Sequence, residues 1–307
     1  MEFKHVSILL DECLENLNIN PDGVYVDATL GGAGHSYHIA SKLKSGKLIS
    51  IDRDDNALAN AKIRLAPFID NVILVKSDFR DLDEAIKTAG YEKVDGILFD
   101  LGVSSPQLDT KERGFSYMQD ATLDMRMDQT AELTAHTIVN EWEWHDLRTI
   151  IFKYGEDKFA NKIAQAIVDN RPINTTLELV EVIKSALPEK VKRAQGHPAK
   201  KTFQAIRIAV NDELSSVEIA MQKAVDCLNP GGRAAVITFH SLEDRIVKNI
   251  FAENAKGCDC SKKLPVCVCG KTPKITLVKR KPIVPSDAEI EENPRARSAK
   301  LRVIEKI

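Results

Sequence analysis

Strand-like and helix-like patterns alternate through the first hundred residues, and no other property of the chain narrows its fold as much. Val24–Thr29 reads as a buried strand, followed by a glycine-bearing loop and a helix to about Leu43. Lys47–Asp52 is a second strand and about Asp54–Ala66 a second helix; Val72–Lys76, Leu82–Thr88 and Val94–Leu101 continue as strand, helix and strand. Strands that recur with helices between them are joined by right-handed crossovers, so they lie parallel in one sheet.

After Leu101 the alternation stops, and for about a hundred residues only helical spacing appears. Leu147, Ile150, Ile151 and Tyr154 line one face, and Phe159, Ile163, Ala166 and Ile167 another. Thr175 with Glu178 forms a capping box ahead of Val180, Ile183 and Leu187. From Phe203 the spacing Phe203, Ile206, Val210, Leu214, Val217 predicts one long helix back to the sheet, broken at Asn229–Gly232. Arg233–Thr238 is then a fifth strand, and Ile275–Arg280 and Leu301–Glu305 form an antiparallel edge pair. The expected organisation is a sheet domain over 1–103 and 213–307, ending in a basic tail, with a helical substrate-recognition domain inserted over 104–212.

At 307 residues a chain hides roughly 75% of the surface it exposes when unfolded, so neither a disulfide nor a metal is needed for stability. With 43% apolar and 29% charged residues, a mainly disordered or low-complexity protein is excluded. The opening residues lack the pattern of a signal peptide, and no stretch approaches about eighteen uninterrupted apolar residues. A soluble, cytoplasmic protein without membrane contact is expected. Four of the six cysteines, Cys258, Cys260, Cys267 and Cys269, crowd together. They read as reduced thiols on a loop or as four thiolates for Zn²⁺, although C-x-C is a less usual knuckle than C-x-x-C; the catalytic reading requires no metal.

The first strand ends in Asp27-Ala-Thr-Leu-Gly-Gly-Ala-Gly-His35. Glycines at a strand-to-helix turn let the backbone approach a ligand, and the helix beyond offers amide donors. Asp52 closes the second strand, where a carboxylate accepts hydrogen bonds from both hydroxyls of a ribose. The loop does not match G-x-G-x-x-G, which argues against nicotinamide. Acids at successive strand ends, Asp27, Asp52, Asp78 and Asp100, suit a ligand carrying an ammonium, a ribose and a sulfonium and would repel a pyrophosphate. S-adenosylmethionine fits better than NAD. After the third strand, Ser77–Leu82 offers a carboxylate and an amide to an adenine edge.

The runs Thr29–Ser36, Phe99–Gln107, Arg113–Tyr117, Leu123–Asp128, Thr202–Leu214, Phe239–Arg245 and Glu292–Ser298 resemble the bacterial RsmH (MraW) family, and they extend over almost the whole chain. The resemblance implies a class I S-adenosylmethionine-dependent methyltransferase fold, α/β and Rossmann-like with a mostly parallel sheet, carrying an inserted helical domain. It implies methylation of the exocyclic N4 amine of a cytidine in the decoding region of 16S ribosomal RNA. The family's cofactor contacts carry over to Ala33, Gly34, His35, Asp52, Phe79, Asp100 and Gln107. The loop departs from the family pattern in placing Ala33 where other members have glycine, an extra methyl that a negative φ would accommodate.

Asp100 is the candidate for cofactor binding and for orienting the amine. His240, after the fifth strand, is a second catalytic candidate, weighed against a strand-end histidine satisfied by Ser241 or Glu243. Asp124, Arg126 and Asp128 either close the pocket or tie the insertion to the core. Phe115 and Tyr117 are candidates for holding an outturned base, whereas Trp142 and Trp144 read as core. Net charge is only −2, yet Lys190–Arg207 holds six basic residues and Lys271–Lys281 five, with no acid in either. In an RNA enzyme these stretches become phosphate contacts, Lys200 and Lys201 first among them, joined by Arg295 and Arg297. The partner is then ribosomal RNA, within the small subunit or free, and the insertion offers surface for a homodimer. The competing readings are a non-catalytic assembly factor with a vestigial pocket and a DNA amino-methyltransferase; the intact glycine loop, Asp52 and Asp100 count against the first.

Overall fold

The computed structural model describes residues 7–193, 196–260, 266 and 268–307, leaving aside the side chains of residues 105 and 106. In chain order the first part contains α1 (Leu10–Leu17), β1 (Val24–Asp27), α2 (Gly34–Ala40), β2 (Lys47–Asp52), α3 (Asp55–Arg64), β3 (Val72–Lys76), α4 (Leu82–Thr88) and β4 (Val94–Asp100). A run of helices follows: α5 (Ser105–Asp109), α6 (Ala135–Glu141), α7 (Trp144–Lys153), α8 (Ala160–Asp169), α9 (Thr176–Ala186), α10 (Glu189–Lys192) and α11 (Lys200–Asn211). The chain then forms α12 (Glu213–Cys227), β5 (Leu228–Thr238), α13 (Ser241–Asn254), β6 (Ile275–Leu277), α14 (Asp287–Glu292) and β7 (Lys300–Lys306). It divides into two compact units, one of residues 1–102 and 214–307, the other of 103–213.

In the first unit seven strands form one sheet in the order β3-β2-β1-β4-β5-β7-β6. β1 to β5 are parallel, and β7 runs antiparallel to both β5 and β6. This is the strand order of class I methyltransferases. Alternate residues serve opposite faces, because a strand has a period of two. Ile97 and Phe99 of β4 pack with Leu82 and Ile86 of α4, Ala220 and Met221 of α12, and Val247 and Phe251 of α13. Leu98, between them, joins Cys13 and Leu17 of α1 and Ile39 of α2 on the other face. Covering both faces explains why these strands read as continuous apolar runs.

The second unit is helical; among its described residues the one sheet-like feature is the isolated bridge Thr122–Thr175. Leu147, Ile150, Ile151, Ile163, Ile167, Val180, Ile183 and Phe203 form its core. The capping box is present: Thr175 Oγ1 accepts from Glu178 N and the Glu178 carboxylate accepts from Thr175 N. The expected single long helix is two. Asp212 has φ 47 and ends α11, a left-handed conformation that aspartate tolerates better than most residues. The break lets Asn211 turn inward, where it accepts from Met127 N at 2.8 Å and donates to Met125 O at 2.8 Å and Arg207 O at 2.9 Å.

β5 also begins earlier than the expected Arg233. It contains Asn229–Gly232 as an irregularity, beyond which the regular ladder resumes with Arg233 opposite Gly96. Asn229 Nδ2 donates to Asp95 Oδ1 at 2.8 Å and secures that bulge. β6 stops at Leu277, short of the expected Arg280. Among the described residues no helix is long and apolar enough to cross a membrane.

Candidate active site

In an open α/β sheet, ligands bind beyond the carboxyl ends of the strands, where the strand order reverses. Here that point lies between β1 and β4, and the two strand ends are joined: Asp100 N donates to Thr29 Oγ1 at 2.6 Å. The loop after β1 is held by Leu30 N donating to Ile51 O and Ala33 N to Leu30 O. Ala33, Gly34, His35, Asp52, Phe79 and Asp100 all stand at this carboxyl edge.

Ala33 has φ 57, so the negative φ expected to accommodate its methyl is not what the loop adopts. The left-handed conformation is what turns the chain into α2, and for a non-glycine residue it costs roughly 1–2 kcal/mol. Gly34, next to it, is closely approached by Ser7: a Cβ there would lie 2.0 Å from Ser7 Oγ and would force that hydroxyl to rotate away.

The four strand-end acids separate into distinct roles. Asp27 is buried, accepting from Ser36 Oγ at 2.7 Å and Thr29 N at 3.2 Å. Burial lifts its carboxyl to about 6, against the pull of those bonds. Asp78 accepts from Arg80 N in its own turn and from Arg53 Nη1 just after β2, both at 2.9 Å and one to each oxygen, which fixes the carboxylate expected to read an adenine edge. Asp52 accepts from Gly31 N at 2.8 Å and Asp54 N at 2.9 Å, one amide to each oxygen. A second lone pair on each oxygen is left with acceptor capacity that the two hydroxyls of a ribose could use. Burial raises this carboxyl too.

Asp100 differs from the other three. Its Oδ1 is buried with no hydrogen-bond partner. Burial, then the charges of Asp27 and Glu243, push its carboxyl up to about 8. Its Oδ2 lies 3.6 Å from His35 Nδ1, while His35 Nε2 sits 3.1 Å from Ile8 O. A carbonyl only accepts, so Nε2 carries a hydrogen and Nδ1 is bare in the neutral ring. Burial and the neighbouring acids favour the protonated form of Asp100, and a bare Nδ1 faces it across 3.6 Å. Asp100 is thus a partly buried acid whose proton is favoured by crowding and whose buried oxygen is unsatisfied among the described residues, an arrangement able to accept a positive group.

Phe79 is half-buried and meets Phe99 edge-on, with ring centroids 6.2 Å apart. Gln107 belongs to the helical unit, where its Oε1 accepts from Ser104 N at 3.1 Å. His240 is the N-cap of α13: Nδ1 accepts from Glu243 N at 3.3 Å, and Nε2 lies 3.0 Å from Glu243 Oε1. The Glu243 carboxylate in turn accepts from Phe239 N and His240 N. A histidine thus stands where a capping box usually has serine or threonine: Nδ1 completes the cap, while Nε2, though close to Glu243, is buried without a hydrogen-bond partner among the described residues.

In the helical unit, Phe115 is only 6% exposed and packs in the core beneath the Arg113 guanidinium; this corrects its reading as a base-holding surface. Tyr117 stays half-buried, stacked on His197 with centroids 4.5 Å apart. Asp124 and Arg126 pair with each other through two 2.8 Å bonds, and Arg126 also donates to Gln129 O and Ala131 O, so both shape their own loop. Trp144, read as core, is 38% exposed.

The basic stretches are partly spent. Arg207 is bidentate to Glu213 at 2.8 Å, Lys192 pairs with Glu189, Lys271 with Glu253 and Asp259, and Lys274 with Asp226. Lys200, Lys201, Arg295 and Arg297 are exposed, Lys201 also donating to Glu156 O. Sequence reading passed over Thr29 and Ser36, whose hydroxyls bind the strand ends together; threonine or serine beside a glycine loop is too common to signal this alone.

Several solved structures share a distant likeness. A putative rRNA-methylase from Clostridium thermocellum aligns over 99% of this chain and 100% of its own, at 14% identity and a TM-score of 0.47. That likeness is too slight to bear on the fold, which rests on the sheet order itself. Sequence comparison reaches further. The chain is 57% identical over 315 residues to the ribosomal RNA small subunit methyltransferase H of Paenibacillus sp. (strain JDR-2), covering 99% of this chain and 100% of that one. It is 57% identical over 311 residues to the protein of the same name from Brevibacillus brevis, covering 100% and 99%. The model of the MraW methylase family matches residues 2–307, and with relatives this similar over their whole length the chain belongs to the MraW methylase family.

Proposed function

We propose that this methylase transfers a methyl group from S-adenosylmethionine to the exocyclic N4 amine of a cytidine in the decoding region of 16S ribosomal RNA. Family membership and the relatives' names support the reaction class and the small-subunit RNA. The observation that carries the cofactor reading is the Asp100 carboxyl, buried on one oxygen and open on the other beside His35. When bound, S-adenosylmethionine supplies an electrophilic methyl group on a sulfonium.

The chain's residues then divide the work. Asp52 holds the ribose hydroxyls through its two remaining lone-pair directions. Asp100 supplies the counter-charge for a cation, giving up its proton as the positive group arrives. Ala33 and Gly34 bring the backbone close at the start of α2. The displacement is in-line, so much of its acceleration comes from positioning. A neutral amine becomes cationic on methylation and loses its surplus proton afterwards, so a strong general base is not required. His240, with Glu243, fixes the bend between β5 and α13 and acts as a positioning residue. Exposed Lys200, Lys201, Arg295 and Arg297 supply phosphate contacts, and Tyr117 offers a stacking face.

Labelled S-adenosylmethionine offered with small subunits, naked ribosomal RNA or DNA tests this reading. The expected result is label in the ribosomal RNA of one of the first two substrates, recovered as N4-methylcytidine on nucleoside analysis. Label in DNA alone, or in no nucleic acid, overturns it in favour of a DNA enzyme or an assembly factor.

A further inference from the structure

Between α13 and β6 the chain makes an excursion that the methyl-transfer site does not use. Among its described residues the two valines are not packed: Val266 is 70% and Val268 78% exposed. Lacking a core, such a loop needs another source of order. The sulfurs of Cys258, Cys260 and Cys269 lie within 4.8 Å of one another. Cys258 Sγ and Cys269 Sγ are 3.7 Å apart. That is far beyond the roughly 2.05 Å of a disulfide. Tetrahedral zinc with Zn–S bonds of about 2.3 Å places its sulfurs about 3.8 Å apart, close to the separation found.

Each of the three sulfurs also receives a backbone N–H: Cys260 N to Cys258 Sγ at 3.3 Å, Asp259 N to Cys269 Sγ at 3.5 Å, and Val268 N to Cys260 Sγ at 3.4 Å. Amides converging on sulfur stabilise the thiolate, the form that binds metal. Asp259 stands between two of the thiols, where its charge would oppose a second and third anion. It is neutralised by Lys256 Nζ at 2.5 Å and Lys271 Nζ at 2.8 Å.

We propose that Cys258, Cys260 and Cys269 bind a zinc ion that fastens the excursion between α13 and β6. Cys267, a fourth thiol in the sequence, lies outside the described residues. The two valines are then displayed on a metal-fastened turn. Zinc needs deprotonated sulfur, so binding releases thiol protons, and the metal's binding free energy becomes order in the loop. The site is independent of the methyl-transfer crevice.

The test uses the full chain, purified under reducing conditions without chelator, with metal measured by mass spectrometry. About one zinc per chain is expected, falling at least tenfold in Cys258→Ser/Cys269→Ser and unchanged in Cys227→Ala, a cysteine outside the cluster. Should the double variant fold poorly, wild-type protein stripped of metal and titrated with Co²⁺ gives a second readout. Intense visible bands with sulfur-to-cobalt charge transfer are expected, lost on adding zinc. Metal-free wild-type protein with no such bands, zinc retained by the double variant, or a disulfide between these cysteines in the reduced preparation would each overturn the proposal.

Discussion

The sheet unit and the helical unit both bury polar side chains, but they leave them in different states. In the helical unit Asn211 engages both ends of its amide, accepting from Met127 N and donating to Met125 O in one distant loop and to Arg207 O one turn back in its own helix. In the sheet unit Asp100 is as firmly placed, yet one of its oxygens has no partner and its carboxyl holds a proton up to about pH 8. A completed buried polar group stabilises its fold, whereas an incomplete one leaves room for a ligand.

Substitution should separate the two. Asn211→Ala strands Met127 N and Met125 O and is expected to cost about 2–4 kcal/mol of stability, measured by chemical denaturation, with cofactor affinity per folded molecule unchanged. Equal loss of stability from Asp100→Asn would erase the contrast. Instead Asp100→Asn, nearly isosteric with the protonated acid, should change stability by less than about 1 kcal/mol while weakening S-adenosylmethionine binding by about 2–3 kcal/mol, roughly 30- to 150-fold.

The pH dependence sharpens the same point. A carboxyl whose folded value is raised binds its proton more tightly in the native state, so it contributes instability that grows as pH rises from the ordinary carboxylate range to the folded value. Asp27 completes this by about pH 6, so of these two carboxyls only Asp100 still acts between pH 6 and 8; His197, held below its ordinary value by burial, acts in the opposite sense and equally in wild type and variant. The melting temperature of the ligand-free wild type should fall across that interval, and the melting temperature of Asp100→Asn should fall less. Parallel curves would remove the proton from Asp100.

Smaller effects test the neighbouring positions. His240→Ala should cost about 1 kcal/mol as a lost N-cap, and His240→Ser should restore it with kcat near wild type. A kcat deficit of a hundredfold or more in the serine variant would make His240 a participant in the chemistry. Ala33→Gly should lie within about 0.5 kcal/mol of wild type, because relief of the left-handed strain is offset by the freer unfolded chain and the lost methyl contact.

Much of the sheet unit was legible in the sequence. Lys47–Asp52, Val72–Lys76 and the helix Leu82–Thr88 fall where their patterns place them: Leu48–Ile51 is buried in the sheet, Val72–Val75 is an apolar run at its edge, and Leu82, Ala85 and Ile86 recur at helical spacing. The break at Asp212 was not legible, since it serves a hydrogen bond from Met127 N to Asn211 Oδ1, 84 residues away. The same holds for Arg207 and Lys274. Each looks like a free cation in a basic stretch until folding brings a carboxylate from elsewhere in the chain. Phe115 and Tyr117 are two residues apart and alike in composition, and only packing assigns one to the core and leaves the other half-exposed. At the crevice, the acids were visible but not their division of labour. That depends on which amides and hydroxyls reach each carboxylate.

Calorimetric titration of wild type and Asp100→Asn with S-adenosylmethionine at pH 7, repeated in two buffers of different ionisation enthalpy, tests most directly whether Asp100 is the cation's counter-charge. If it is, the wild type releases close to about one proton more per ligand bound than the variant does and binds it roughly 30- to 150-fold more tightly. Equal affinity together with equal proton release in the two proteins would contradict it.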